Sequence, residues 1–239
     1  MILTGKISIP FTLLLLTIAI IPVFSQPPDL SAYIHEKHGY DYNLINGTLY
    51  YDKYKQVLNH PFYVGEEFLS GSVVLTGKSY EDLRINFDIY AQHLILEYPG
   101  ISGGIYRIII SPELTDSFDL DGDHFEKLSL DENGPLFYQL IRVNELTCYI
   151  YREKKMVNRS YQYEFYFTEA SQRLFLDFDG KISPFSNRRN FVSLISGVPS
   201  KEIKKYMRQN GIQISDATPA ELEALLKFIS ASIQSNIGN

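Results

Sequence analysis

Gly100-Ile101-Ser102-Gly103-Gly104 puts a serine in the G-x-S-x-G spacing of a nucleophile elbow. That chemistry needs a strand before the serine, a helix after it, and a histidine supplied later by a parallel α/β sheet. Ile105 to Ile110 instead reads as a strand, and strands and helices do not alternate along the chain, so this segment is expected to be a glycine-rich hairpin loop. Asp116 to Asp123 reads D-S-F-D-L-D-G-D and suggests calcium. An EF-hand loop begun at Asp119 would need glycine at its sixth place and glutamate at its twelfth, where the chain has His124 and Leu130. Asp121-Gly122 is therefore expected to be a hairpin turn. Asp82 and Asp88 could work as an acid and base pair only if the fold converged them. His35 and His38 lack the four-residue spacing that sets two imidazoles on one helical face for zinc, and His60, His93 and His124 stand alone. The single cysteine, Cys148, shares the face of Leu146 and Ile150, which makes it an expected buried, inert thiol and leaves no disulfide within the monomer. No catalytic residue, cofactor site or metal site is expected.

The elements that would have to position any such groups begin with a leader. Lys6 precedes an apolar run from Ile7 to Phe24 that closes on Val23-Phe24-Ser25, the small-residue pattern of signal-peptidase cleavage. The expected cut falls between Ser25 and Gln26, making 1–25 a signal peptide. The rival reading is a retained anchor, against which Pro10, Pro22 and the short run all weigh. No cysteine follows the run to accept a lipid, and no later stretch has the length of a membrane span, so a soluble mature chain is expected.

Cleavage would remove one of 22 Lys and Arg residues, leaving 21 − 28 = −7. That balance argues against a nucleic-acid partner. The sequence has 18 tyrosines, 15 phenylalanines and no tryptophan, a composition that suits half-buried strands.

Residues 26–42 read as an irregular lead-in. Strand signals then recur every 8 to 15 residues. Asp82 to Tyr90 alternates polar with apolar, the mark of a strand with one buried face. Strands are also expected at 72–75, 94–96, 105–110, either side of Asp121-Gly122, and at 136–143, 146–152, 161–167 and 173–178. A hairpin at Asp179-Gly180 leads to Lys181-Ile182. Close spacing and short turns imply antiparallel meander connections, in a sandwich or a partly closed barrel. From Ser186 the period becomes helical. Phe191, Leu194 and Ile195 mark one helix, and Ile203, Tyr206 and Met207 a second, ended by Gly211. The last carries a Thr218–Glu221 capping box and an apolar stripe through Leu222, Leu225, Leu226, Ile229 and Ile233. The fold class is thus α+β: an antiparallel β domain over 43–185, and a C-terminal helical segment over 186–239 packed on its sheet.

Asn46-Gly47 with Tyr51 and Tyr54, His60-Pro61-Phe62, Gly71-x-Val73, Gly77-x-x-Tyr80 and Phe87-Asp88-Ile89-Tyr90 with Leu94 form a series. It resumes at Phe118-x-Leu120-x-Gly122-x-x-Phe125-x-x-Leu128 and in the basic helix Lys201 to Asn210. In these residues the chain resembles a large group of exported proteins of Bacteroidota. It departs at Phe68, where tryptophan is expected, and in the acidity of the Phe118–Leu128 segment. The resemblance implies a periplasmic or inner-envelope location and carries no activity or functional residue with it. Asn46-Gly47-Thr48 and Asn158-Arg159-Ser160 would be glycosylated only in a eukaryotic secretory pathway.

With no coherent nucleophile, metal or phosphate motif, the expected function is a non-catalytic envelope protein that binds a protein partner, with another envelope protein as the candidate, or supports an envelope complex. A binding module for a small apolar or lipid-like ligand is the alternative, and a hydrolase with convergent carboxylates the third.

Overall fold

A computed structural model describes residues 41–100, 103–159 and 164–237. The expected signal peptide, its expected Ser25/Gln26 cut and residues 26–40 of the expected lead-in lie outside the described residues, as do His35 and His38.

Asp41 opens the described chain. Its carboxylate accepts from Asn43 N at 2.8 Å and so caps a one-turn helix, α1 (Tyr42–Ile45), which begins at the last residue expected to be irregular. Strands follow as β1 (Thr48–Leu49), β2 (Leu69–Leu75), β3 (Lys78–Asp88), β4 (His93–Pro99) and β5 (Ile105–Ile109). Next come β6 (Thr115–Leu120), β7 (Asp123–Leu128), β8 (Leu136–Val143) and β9 (Leu146–Glu153). The series ends with β10 (Met156–Arg159), β11 (Glu164–Phe167), β12 (Ser171–Phe178) and β13 (Lys181–Phe185). Three hairpins turn on residue pairs with positive φ, Thr76-Gly77, Asp121-Gly122 and Asp179-Gly180, the backbone that matches the strands' right-handed twist.

Eleven strands form one antiparallel sheet in the order β1-β5-β4-β3-β2-β6-β7-β8-β9-β12-β13. Two meanders are joined side by side through the β2–β6 ladder, and β1 and β13 are the edges. The β10–β11 hairpin leaves the main sheet and pairs only with itself, apart from a bridge to Leu58, so β9 pairs directly with β12. This corrects a single run of neighbouring strands through residues 161–167.

The sheet curls without closing. Phe87 on β3 and Phe137 on β8 are four ladders apart, roughly 19 Å in a flat sheet. Their ring centroids are 5.9 Å apart. Phe118 and Phe125 fill the space between them, stacked at 4.6 Å. All four rings are buried, each contributing roughly 1.5–3 kcal/mol relative to exposure. Of a sandwich and a partly closed barrel, the fold thus takes the curled, open form.

The same face continues into the second meander. Ile141 and Val143 of β8, Cys148 and Ile150 of β9, and Leu174 and Leu176 of β12 meet three helices there. These are α2 (Arg188–Leu194), α3 (Ser200–Gln209) and α4 (Pro219–Ile237). Thr218 and Glu221 exchange the expected capping bonds at the start of α4, whose Leu222, Leu225, Leu226 and Ile229 are buried. Among the described residues, no helix is long and apolar enough to cross a membrane.

Candidate functional site

The two apolar clusters on the inner face are separated by a polar seam. Alternation along β8 places Gln139 between Phe137 of one cluster and Ile141 of the other, and Gln139 is only 1% exposed. Its Nε2 donates to Asp123 Oδ1 at 2.7 Å, and its Oε1 accepts from Arg152 Nε at 3.3 Å. The Tyr63 hydroxyl donates to Asp123 Oδ2 at 2.7 Å, and Arg152 stacks over the Tyr63 ring at 5.7 Å. Arg152 also donates to Gln172, which reaches the Ala217 carbonyl ahead of α4. Burial first, then the bond to Asp123 and its charge, pushes the Tyr63 hydroxyl above its ordinary range, so it remains a neutral donor. Each buried polar group here has a partner, which is the arrangement of a structural crosslink between clusters.

A second site lies where the first meander reaches solvent. β1 has two residues and covers only Ile108 and Ile109 of β5, with Tyr50 N donating to Arg107 O at 2.9 Å. Beyond it the apolar edge is open: Ile105 is 71% exposed and Tyr106 42%, beside Leu49 of β1 at 44% and Tyr51 after it at 74%. With Tyr50 and Arg107 these residues line a shallow depression of about 390 Å³.

Its side chains are held in place. The Tyr106 ring stacks on Tyr98 at 5.9 Å and lies against Gly100, where an added Cβ would come within 2.1 Å of it. Arg84, Glu97 and Arg107 are directly opposed on β3, β4 and β5. Glu97 accepts from Arg84 Nε at 3.0 Å and from Arg107 Nε and Nη2 at 2.9 and 2.7 Å. Burial works against the Glu97 charge, but the bonds and charges of both arginines outweigh it and hold the carboxyl below its usual range. The Arg107 guanidinium also rests 4.7 Å from the Phe68 ring centroid. Burial, then the charges of Asp52 and Asp88, keeps the Tyr50 hydroxyl protonated.

The groups singled out in the sequence do not assemble. Gly100 N bonds to Gly104 O at 2.7 Å across the expected β4–β5 hairpin loop, while Ile101 and Ser102 lie outside the described residues. Asp116 accepts from Gly77 N, Asp119 from Ser72 and His124, and Asp123 from Tyr63 and Gln139. The carboxylates of this run are thus divided among separate partners. Among the described residues, no three His, Cys, Asp or Glu groups converge on a metal position. Asp82 and Asp88 sit six residues apart on β3, roughly 20 Å along the strand, and do not converge. Asp88 instead accepts from Tyr90 N and Ala91 N at 2.9 and 2.8 Å, turning the chain into β4, with its carboxyl raised by burial. His60 donates into no catalytic pair; it stacks on Phe62 beside Lys154. Cys148 is buried, and burial pushes its thiol up to about 12. Ser160 of the second glycosylation pattern lies outside the described residues.

Sequence reading did not single out the Glu97 trio or the Gln139 seam. Their hydrogen-bonded pairs are 10 to 76 positions apart in sequence, joined by strand register and by the packing of Tyr63, which precedes β2.

Comparison of the chain with protein-family models, with curated proteins and with solved structures finds no match.

Proposed function

We propose that this chain is a non-catalytic, exported envelope protein that binds another protein through the open aromatic end of the β1–β5 edge. The observation that carries this reading is the exposure of Ile105, Tyr51, Leu49 and Tyr106 around a buttressed Arg107. Tyrosine and arginine dominate the affinity of protein interfaces, and fixed side chains lose little entropy on binding. The partner surface presents apolar side chains to Ile105 and Tyr51 and a carboxylate or carbonyl to Arg107. Support for a surface contact, rather than an enclosed ligand, comes from the phenylalanine-filled inner face of the curl.

The test is replacement of Ile105 with a photo-crosslinking residue in cells of the source organism. One discrete protein adduct is expected, and it should disappear when Tyr106→Ser and Arg107→Ser are added. Diffuse labelling that ignores those substitutions would reject this edge as the binding surface.

A further inference from the structure

We infer that α3 is a docking surface for anionic phospholipid headgroups, a second contact independent of the β5 edge. Ile203 and Met207 bury one face of the helix, and Tyr206 stacks on Phe228 of α4 at 4.2 Å. Lys201, Lys204, Lys205 and Arg208 follow the i, i+3, i+4, i+7 spacing of a single stripe. At 100° per residue the centre of that stripe lies about 130° around the helix from the centre of Ile203 and Met207, turned away from the packed face. All four cations are exposed, as are Arg188 and Arg189 on the first turn of α2, which packs against α3. None of these six forms an ion pair with a described residue.

Their concentration runs against the rest of the chain. Residues 186–239 carry seven basic and four acidic groups, 7 − 4 = +3, whereas residues 26–185 carry 14 − 24 = −10. Acidic side chains instead gather at Glu81, Asp82, Asp119 and Asp121, around a depression on the sheet. A stripe of uncompensated cations on such a chain is complementary to a negative surface.

The chemistry of the stripe favours a lipid surface over a macromolecular groove. Three of its four cations are lysines, which protein interfaces deplete, and no exposed aromatic anchor interrupts them. Grooves that bind single-stranded nucleic acid add stacking rings to such charge, which the outer face of α3 lacks. Flexible ammonium groups spread over roughly 10 Å of helix suit a fluid layer of phosphates, which asks for charge density rather than fixed geometry. Clusters of four or more cations on an amphipathic helix bind such layers, each cation strengthening binding roughly five-fold near the surface.

The experiment is flotation of the full chain with phosphatidylcholine vesicles and with vesicles in which about a third of the lipid is phosphatidylglycerol. The apolar Ile7–Phe24 run contributes to both, so the ratio between them isolates charge. The chain should prefer the anionic vesicles at low salt and lose that preference as added salt screens it. Joint Lys201→Gln, Lys204→Gln, Lys205→Gln and Arg208→Gln substitution should cut the ratio roughly a hundredfold or more with an unchanged melting curve. Lys55→Gln with Lys181→Gln, which removes charge elsewhere, should leave it nearly intact. Equal binding to both vesicles, or a preference surviving the fourfold substitution, would overturn the proposal. So would a chain that ignores the vesicles but is retained on immobilised polyglutamate or single-stranded DNA.

Discussion

Replacing Glu97 with glutamine removes one charge from the trio that fixes Arg107 beneath the open edge. Glu97 makes three bonds of 2.7 to 3.0 Å, and its side chain is only 10% exposed. Bonds to charged groups contribute about 1.5–3 kcal/mol each when shielded from water. The Arg84 and Arg107 side chains, however, are 62% and 49% exposed, so solvent screens much of that gain. Glutamine also retains one acceptor oxygen. The expected loss at pH 7 is therefore about 1–2 kcal/mol for the whole trio. The folded carboxyl titrates below the ordinary glutamate value of 4.5, so its stabilisation is fully present above that value. It is lost as pH falls through 4.5 toward the lower folded value. Urea unfolding followed by far-ultraviolet circular dichroism should give Glu97→Gln a lower midpoint at pH 7, and a deficit that shrinks as pH falls below 4.5. Equal midpoints at pH 7 would show that the two arginines gain nothing from the charge. A deficit that stays constant through the acid range would assign the loss to packing.

Other substitutions probe the scaffold. Gln139→Leu should cost about 1–3 kcal/mol, because Asp123 and Arg152 each lose a buried partner. Chemical denaturation would measure it, and an unchanged midpoint would show that the seam is not a crosslink. Gly71→Ala should cost about 1–3 kcal/mol or more, since the new Cβ would come 2.3 Å from Asp119 O and 2.6 Å from the Ile85 side chain. At 2–4 °C per kcal/mol, thermal melting resolves that loss, and an unshifted melt would deny the close β2–β6 approach. Cys148 should stay unmodified by a thiol reagent at pH 8 until denaturant is added, because burial holds the thiol up to about 12. Rapid labelling of the folded chain would contradict that burial.

Much of the architecture was readable from residue order. The alternation from Asp82 to Tyr90 became the long strand β3, Asp121-Gly122 and Asp179-Gly180 became hairpin turns, and Thr218 with Glu221 marked the start of α4. Such features are local, so each is visible within a few residues. The β2–β6 ladder is not, because it joins strands separated by β3, β4 and β5. Neither is the departure of β10 and β11, each only four residues long. The Glu97 trio depends on register: a slip of one residue would send Glu97 to the opposite face and separate it from both arginines. β1 is only two residues long, too short for any periodicity, yet where it stops decides how much of β5 remains open. The aspartate run drew attention because its members are adjacent in sequence, but alternation and turns direct them to different partners.

The central claim is that the open end of the β5 edge is the protein-binding surface. Photo-crosslinking from position 105 can be compared in the native envelope with crosslinking from Ile182, which is 41% exposed on the opposite edge strand β13. A discrete adduct is expected from position 105, abolished by Tyr106→Ser with Arg107→Ser, and none from position 182. Equal labelling from both edges, or none from position 105, would contradict it.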